Sequence, residues 1–423
     1  MKASALSVDI SPRSQVALGA AGAGASPWLG VTEPIEANLL ALWAEGDDKP
    51  IVIISIDLLY PGRILRAAVE AAAEHLEADR IFLAATHTHR APMTDDTKAC
   101  LATPDQDYLA WLKLRLSVAV KQVLRPEYAE AATIAASAGK ASHSINRRRK
   151  KWLFLARKPL INSFTSAPNP RGVTDETLLT ISIRRVGGEP IALLWNYACH
   201  PVGYPRLNTI AAHFPHVIRQ KARTRWDNKK LPVLFFQGFS GNTRPSATAK
   251  VHSPARFMRR LISGPMFEDM TESVYARWST SLADTVLETL AQEQPIGAGS
   301  LSSSRAMVRG DDFAEPLDEG VSFHCLHVGP DFSMVAVSGE VVAEYALRVR
   351  RIASSKFTFC VGCIDHTFGY IPTSRILEEG GYEGGNYCKN FGIDSINPMI
   401  EENTMKGFRE VLLSDRSIDA AKT

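Results

Sequence analysis

Short apolar runs separated by amphipathic stretches constrain the fold of this chain more than any other feature. The runs IVIISI, IFLAA and VLFFQ have the length of buried strands and show no polar face. Residues 63–76 and 105–124 carry apolar side chains at helical spacing. Polar turns such as 186–189 join neighbouring strands into hairpins. Strands alternate with helices while hairpins recur, which predicts an α/β fold with mixed β-sheets flanked by helices.

The same patterns place further elements along the 423 residues. Helices are expected at about 215–226, 267–293 and 341–352. Strands are expected at 4–10, 177–186, 190–197, 298–308, 321–328, 332–338 and 356–364. No repeat and no linker divides the sequence, so we expect one domain over residues 1–423. The Arg/Lys-rich region at about 144–175 is expected to be a loop excursion.

Charge and composition narrow the classes of function. There are 48 basic and 45 acidic residues, a formal charge of +3, which does not favour a nucleic-acid partner. The N-terminal stretch MKASALSVDISPRS lacks the apolar core of a secretory signal, and no apolar run is long enough for a membrane span. The six cysteines are scattered without a disulfide pattern. We expect a cytoplasmic protein acting on a small molecule, with homo-oligomer formation left open.

The stretch FLAATHTHRAPM places two of the eleven histidines, His87 and His89, at the end of an expected strand. Residues two apart in a strand point to the same face, so the two imidazoles are expected to project together. Such a pair suits a metal site, or one ligand beside an acid/base group. Two hydrogen-bonded histidines that only close a strand would give the same pattern. The spacing alone does not separate these readings.

Three other expected strands also end in polar, turn-prone residues. ALLWNYACHPVG delivers His200, VLFFQGFSGNTRPS delivers Asn242 and Arg244, and FSMVAVSGE delivers Glu340. Individually, a His-Pro turn or a carboxylate at a helix start has a purely structural explanation. Together with His87 and His89, these strand ends indicate a shared site.

The patches ATHTHRAP, ACHPVG, FFQGFSGNTRP, VSGEVVAEYALRVR and GYIPTSRILEEGGYEGG occur in an order that resembles the neutral, non-lysosomal ceramidases. ALSVDISP resembles the opening strand of that family. The resemblance covers most of the chain and implies the α/β fold of the family's N-terminal catalytic domain, without its C-terminal immunoglobulin-like domain.

That family binds one catalytic zinc ion through two histidines, a glutamate and a tyrosine. The resemblance therefore implies Zn²⁺ as cofactor, with the ligands His87, His200, Glu340 and Tyr370. It also implies that His89 is a neighbouring acid/base histidine and that Arg147 contacts polar groups of the substrate. Asp57, at the end of IVIISID, is a weaker candidate for orienting a ligand or for a second metal.

Two features make ceramide itself an unexpected substrate. Ceramidases carry Gly-Asp-x-Ser-Pro where this chain has Gly241-Asn242-Thr243-Arg244-Pro245. Arg244 in place of the serine suggests a substrate with a carboxylate or phosphate, and Asn242 would lie beside it. His213 follows His200 closely and is either a pocket residue or a surface histidine.

The sequence thus predicts a zinc-dependent hydrolase that cleaves a non-peptide C–N amide bond, with Tyr370 also stabilising the oxyanion. An ester or lactone hydrolase and a non-catalytic binding protein remain alternatives. Cys360 and Cys363 offer a competing structural zinc site with the nearby residues 324–327. The Gly-rich stretch 378–387 resembles a mobile flap over the site.

Overall fold

The elements below come from a computed structural model, which describes residues 1–19, 28–98, 100–153, 161–248, 264–297 and 299–413, apart from the side chains of residues 152, 153, 161 and 162. The strands in these ranges are β1 (Lys2–Asp9), β2 (Glu36–Trp43), β3 (Ile51–Ile56), β4 (Ile81–Ala85), β5 (Glu130–Lys140), β6 (Ser144–Leu153), β7 (Ile161–Asn169), β8 (Thr177–Arg185), β9 (Pro190–Tyr197), β10 (Val233–Gln237), β11 (Thr243–Pro245), β12 (Gln294–Pro295), β13 (Leu301–Val308), β14 (Ala314–Glu315), β15 (Val321–Val328), β16 (Phe332–Val337), β17 (Glu340–Val341), β18 (Phe357–Val361), β19 (Tyr370–Ile371) and β20 (Ser395–Ile396). The α-helices are α1 (Gly62–Ala72), α2 (Gln106–Val123), α3 (Phe214–Arg225), α4 (Glu272–Leu290), α5 (Glu344–Ile352), α6 (Ser374–Glu379) and α7 (Ile400–Leu413).

The largest sheet has the strand order β10-β9-β8-β5-β1-β2-β3-β4, and β12 pairs with β5. The pairs β9–β10 and β3–β4 are parallel, and the other pairs along this path are antiparallel. Mixed pairing is what frequent hairpins between helical crossovers should produce. The α/β fold class with mixed sheets is therefore confirmed.

This sheet bends at its middle. Strands β1 and β5 share only two residue pairs, Lys2–Ala131 and Ala3–Glu130, so the halves diverge there. Away from this bend, side chains connect the two halves again: Ser55 of β3 donates a hydrogen bond to the Phe235 carbonyl of β10 over 2.6 Å. Asn38 of β2 accepts one from the Val233 amide over 3.3 Å. The backbone of edge strand β10 is thus covered by side chains of the other half.

The layers are helices, sheet, sheet and helices. A second sheet, β13-β15-β16-β18, packs its apolar face against the large sheet, and side chains such as Ile53, Phe236 and Phe359 fill the space between them. Helices α1 and α2 cover one half of the large sheet, and α3 and α4 cover the other half. Helices α5 and α7 cover the second sheet. Strands buried on both faces explain why runs such as Ile51–Ile56 are apolar throughout.

The region expected to be a loop excursion, 144–175, is mostly a β-hairpin. Strands β6 and β7 pair antiparallel, and β11 joins β6 to form a separate sheet, β11-β6-β7. The loop expectation was based on the Arg/Lys, Pro and Asn content of the region, and local composition does not show whether the basic side chains have buried partners. Arg148, within the basic run, is buried against Glu383, so its charge is paired inside the protein.

None of the helices in the described ranges is both long enough and apolar enough to cross a membrane.

Candidate metal centre

His87 and His89 lie just after strand β4, which ends at Ala85. His87 has φ 63°, a left-handed conformation that few residues other than glycine adopt. The two imidazoles therefore come together because the chain turns at His87, and not because they lie two residues apart in a strand. The two ring centroids are 5.0 Å apart. Nδ1 of His87 lies 3.0 Å from the Leu59 carbonyl, so in the neutral ring Nδ1–H donates and Nε2 carries the free lone pair.

His200 follows β9 and completes a group of three histidines. Its Nε2 lies 3.2 Å from Nε2 of His87 and 3.0 Å from Nε2 of His89. The ring nitrogens of the three side chains all lie within 4.8 Å of one another, and this group could hold a metal ion. Among the described residues, no other group of three histidines, cysteines or carboxylates is arranged in this way.

Glu340 and Tyr370 face each other as paired residues of the parallel strands β17 and β19. Oε2 of Glu340 lies 3.3 Å from Nε2 of His87 and 3.9 Å from Nε2 of His200. Oε1 accepts a hydrogen bond from the hydroxyl of Tyr60 over 2.5 Å. Glu340 reaches this position because Gly241 has no side chain: a Cβ there would lie 2.7 Å from the Glu340 carbonyl oxygen.

The electrostatics of the group depend on His87 and Glu340. Burial lowers the pKa of His89 and of His200 well below the usual value, so both rings are neutral. Burial alone would raise the pKa of Glu340, but His87 outweighs it and the pKa falls to about 2. Burial would also lower the pKa of His87, but Cys363 and Glu340 outweigh it and hold that pKa well above its usual value. The ionised Glu340 therefore favours a positive charge beside it, which a bound metal ion would supply.

The donor set fits zinc. Imidazole nitrogens with a carboxylate oxygen are ligands that Zn²⁺ commonly uses. Oε2 of Glu340 is buried and has no hydrogen-bond partner, so it has a free acceptor directed at the histidines. An unpartnered, buried, ionised oxygen is costly unless a cation or proton compensates it.

Arg147, expected to contact substrate, is held by protein groups. Its Nε donates to Oε1 of Glu383 over 2.7 Å, and its Nη2 donates to the Gly241 carbonyl over 2.7 Å and to the hydroxyl of Tyr370 over 3.1 Å. Glu383 therefore balances the charge of Arg147, and Arg147 holds the hydroxyl of Tyr370 by a hydrogen bond.

The Gly-rich stretch expected to be a flap is anchored. Glu383 also accepts a hydrogen bond from Arg148 over 3.0 Å and is buried. The ring of Tyr387 is fully buried, and its hydroxyl donates to the Tyr370 carbonyl over 2.9 Å. Tyr382, at 41% exposure, faces outward, as do Glu378 and Asn386. Glu383 and Tyr387 of this segment therefore hold Arg147 and Tyr370 in place by hydrogen bonds.

Arg244 and Asn242 have different surroundings. The guanidinium of Arg244 is half-buried and stacks over the ring of Phe267 at 4.1 Å. No carboxylate in the described part of the chain forms an ion pair with it. Asn242 is buried, accepts from the Ala343 amide and donates to Glu344, so its amide fixes the start of α5. We therefore assign Asn242 a structural contact and not a substrate contact.

His213 is fully buried at the start of α3 and is not a surface histidine. Its ring packs against Tyr204 at 5.6 Å and Tyr275 at 5.3 Å between centroids. Burial is the main cause of the low pKa of His89, and His213 adds a smaller contribution of the same sign.

Asp57 does not orient a histidine. Both of its oxygens accept from Nη2 of Arg219, at 3.1 and 2.9 Å, and Oδ2 also accepts from the Glu36 amide. Its carboxylate is therefore engaged in a buried ion pair on the helix side of the sheet, which accounts for it without a metal.

The competing cysteine cluster does not assemble. Residues 324 and 325 are consecutive in β15, so their side chains point to opposite faces of the sheet. Cys360 is buried in the apolar core on one face. Cys363 contributes instead to the histidine group, where it helps to raise the pKa of His87 against the effect of burial.

Tyr60 was not predicted from the sequence, and Cys363 was placed in a different site. Tyr60 follows the mostly apolar run at 51–59, so its strand-end position was an available signal. The role of Glu383 gave no such signal, because its partners Arg147 and Arg148 are far away along the chain.

Comparison with solved structures identifies the fold. A structure of neutral ceramidase from Pseudomonas aeruginosa matches with a TM-score of 0.75 and 14% sequence identity, covering 98% of this chain and 74% of that chain. A structure described as ceramidase complexed with C2 matches with a TM-score of 0.74 and 13% identity, covering 98% of this chain and 75% of that chain. No family model matches, and no curated protein matches. The chain has a ceramidase-like fold.

Proposed function

We propose that this protein is a zinc-dependent hydrolase that cleaves the amide C–N bond of an acylated, anionic small molecule. The observation that carries the proposal is the convergence of three imidazoles beside Oε2 of Glu340, which has no hydrogen-bond partner. Nε2 of His200 lies 3.2 Å from Nε2 of His87 and 3.0 Å from Nε2 of His89. The ceramidase-like fold supports a hydrolase, since the matched proteins are named for hydrolysis of an amide.

The zinc ligands we propose are His87, His200, Glu340 and Tyr370. When bound there, zinc would act as a Lewis acid and bring the pKa of a water molecule to about 7. Leu59 fixes the His87 ring so that Nε2 faces the site. Tyr60 holds Oε1 of Glu340, which leaves Oε2 for the metal.

His89 and Tyr370 supply the remaining chemistry. The His89 ring is neutral, so its unprotonated nitrogen can accept the proton of the attacking water and pass it to the departing nitrogen. A C–O bond forms, the C–N bond breaks, and the products are an acid and an amine. The Tyr370 hydroxyl, held by Arg147, stabilises negative charge on the carbonyl oxygen. An ester would react by the same steps.

Arg244 carries the charge preference. Arg147 and Arg148 are paired with Glu383, whereas the described residues offer Arg244 no anionic partner. A half-buried guanidinium without a counter-ion suits a substrate carboxylate. We also propose a single domain and a cytoplasmic location, in keeping with the six free cysteines.

The first test is metal content with activity. Purified protein is expected to contain about one zinc per chain and to hydrolyse N-hexanoylglycine. The His87→Ala/His200→Ala variant should lose both, whereas His75→Ala, an exposed histidine, should lose neither. Wild-type protein without zinc, or zinc-loaded protein that leaves the amide intact, would refute the proposal. Cleavage of the matching ester alone would reassign the reaction.

The second test addresses substrate charge. Wild-type enzyme should prefer N-hexanoylglycine to neutral N-hexanoylglycinamide. Arg244→Ser should shift the ratio of kcat/KM values toward the neutral amide by about tenfold or more, the size of a lost charged hydrogen bond. Exposed Arg277→Ser is the matched control and should not change the ratio. An unchanged ratio in Arg244→Ser would remove Arg244 from the site.

A further inference from the structure

Three buried polar atoms without hydrogen-bond partners belong to two side chains that pack against each other near the metal centre. They are Nδ1 and Nε2 of His213 and the hydroxyl of Tyr275. The two rings pack edge to face, with centroids 5.3 Å apart and an interplanar angle of 82°. The Val202 carbonyl lies near the imidazole, but no group in the described part of the chain completes a hydrogen bond with any of the three atoms. Native proteins rarely leave such atoms unsatisfied, and here three lie together.

The backbone holds His213 in place at a cost. His213 has φ 65°, which is unfavourable for a side chain with a Cβ. Its amide donates to Oε2 of Glu33 over 2.9 Å, and helix α3 starts at the next residue. The ring is therefore presented in one orientation, between Tyr204 and Phe214.

This cluster adjoins the metal centre on one side. The hydroxyl of Thr88 donates to the Ala211 carbonyl over 2.8 Å, and the Ala211 amide donates to the Arg90 carbonyl over 2.8 Å. His89 therefore lies in the sequence between Thr88 and Arg90, which are both hydrogen-bonded to Ala211. Ala211 is only two positions before His213, so the two histidines are held close to each other.

Arg244 also lies near the cluster. A Cβ built on Gly203 would lie 3.5 Å from Nη2 of Arg244 and 3.6 Å from Cβ of Met270. Met270 packs in the same small apolar group as Tyr204 and Tyr275. The unpartnered atoms are therefore close to both the metal centre and the cation assigned to the substrate carboxylate.

We propose that His213 and Tyr275 form a subsite for a hydroxyl group of the substrate, close to the scissile amide and to the carboxylate held by Arg244. This inference rests on the proposed function and names the substrate class as hydroxylated N-acyl amino acids. A neutral imidazole offers one donor and one acceptor, and a phenol offers both as well. A hydroxyl group has the same pair of capacities. Burial lowers the pKa of His213 to about 3, which keeps the ring neutral.

Paired probes test the subsite. Wild-type enzyme should prefer N-hexanoylserine to N-hexanoylalanine by about tenfold or more in kcat/KM, because only the serine compound satisfies the buried atoms. Tyr275→Phe should reduce that preference severalfold, through KM, with zinc content unchanged. Tyr108→Phe, which removes a buried hydroxyl bonded to the Ile10 carbonyl, should keep the preference. Equal use of the two probes by wild-type enzyme would overturn the proposal.

A stability measurement separates a binding role from a structural one. If the Tyr275 hydroxyl has no partner in the free protein, Tyr275→Phe should leave Tm unchanged or raise it. Tyr108→Phe should lower Tm, because it leaves a buried carbonyl without its donor. An equal fall of Tm in Tyr275→Phe would show that the hydroxyl is already satisfied, and would overturn the subsite.

Failure of the proposed function gives a different result. If zinc-loaded protein hydrolyses neither probe, the hydrolase assignment fails, and the subsite is then tested by calorimetric binding of N-hexanoylserine and N-hexanoylalanine. Tighter binding of the serine compound, weakened in Tyr275→Phe, would support the subsite. Equal affinities would overturn it and leave the buried atoms to ordered water.

Discussion

At the scale of single residues, the candidate centre depends on how each ligand is held. Tyr60 donates to Oε1 of Glu340, a residue 280 positions away, and so directs Oε2 to His87. The Leu59 carbonyl, one residue earlier, fixes the His87 ring. One short segment after β3 therefore orients two proposed ligands. Mutation of groups that orient ligands in this way typically lowers metal affinity by about ten- to hundredfold.

Tyr60→Phe tests that role. Removing the hydroxyl leaves Oε1 free to rotate, so we expect zinc affinity to fall by about ten- to hundredfold while the fold persists. Affinity would be measured by competition with a chromogenic chelator. Tyr108→Phe, with a buried hydroxyl bonded to Ile10 far from the centre, is the control. Equal zinc affinity in Tyr60→Phe and wild-type protein would contradict the assignment of Tyr60.

At the scale of elements, three strand ends and one close backbone contact assemble the centre. Strands β4 and β9 deliver the histidines, and β17 pairs with β19 to bring Glu340 opposite Tyr370. The Gly241 amide donates to the Val341 carbonyl over 2.8 Å and locks the loop after β10 to β17. This contact sets how close Glu340 comes to the histidines.

Gly241→Ala tests the close contact. Its Cβ would meet the Glu340 carbonyl oxygen at 2.7 Å, so β17 must shift. We expect the free energy of unfolding to fall by about 1–3 kcal/mol, as in overpacked sites, and zinc content to fall with it. Gly187→Ala, in a hairpin turn with nothing within 4 Å, should change neither quantity. Full zinc content in Gly241→Ala would show that Glu340 does not depend on this contact.

The elements also show what the sequence could and could not predict. Runs such as Ile81–Ala85 and Phe332–Val337 were predicted because strands buried on both faces must be apolar. Strand β5, Glu130–Lys140, was missed because its small, partly exposed residues carry little pattern. Strand β6 was taken for a loop because the partner of Arg148, Glu383, is 235 residues away. Pairings over such distances leave no mark in local composition.

The same limit applies to the candidate site. His87 and His200 were predicted to meet because apolar strands ended in them, and they do meet. The substrate role of Asn242 was inferred from its neighbours in the sequence, whereas the structure shows its amide bonded to Ala343 and Glu344. Sequence patterns located the strand ends, but not which way each polar side chain turned.

At the scale of the whole molecule, buried ion pairs to α3 help to join the two halves of the large sheet, and Glu36 forms one of them. Glu36 begins β2 in one half, and Arg223 on α3, which covers the other half, donates to it from Nη1 and Nη2 over 2.7 and 2.8 Å. The hydroxyl of Ser7 donates to the same carboxylate over 2.7 Å. Only two residue pairs connect the halves through β1 and β5, so these buried ion pairs carry part of the connection.

The pKa of Glu36 makes this connection dependent on pH. Burial raises the pKa, but Arg219 and Arg223 outweigh it and lower the pKa from 4.5 to about 2. A carboxyl group whose pKa is lowered on folding stabilises the fold fully above its unfolded value. That stabilisation is lost as the pH falls from about 4.5 toward 2. The shift corresponds to about 3 kcal/mol in the free energy of unfolding.

Glu36→Gln tests this prediction. The variant should be less stable than wild-type protein by about 3 kcal/mol at pH 7, and the two should converge as the pH falls below 4, because protonated Glu36 resembles glutamine. Urea unfolding of metal-free protein at pH 7, 5, 4 and 3 would measure both. Asp57 is present in both chains, and burial is the main cause of its raised pKa, so its opposite pH dependence cancels in their difference except for the smaller part that the Glu36 charge contributes. A difference in stability that stays constant over this range would show that Glu36 acts by packing and not by its charge.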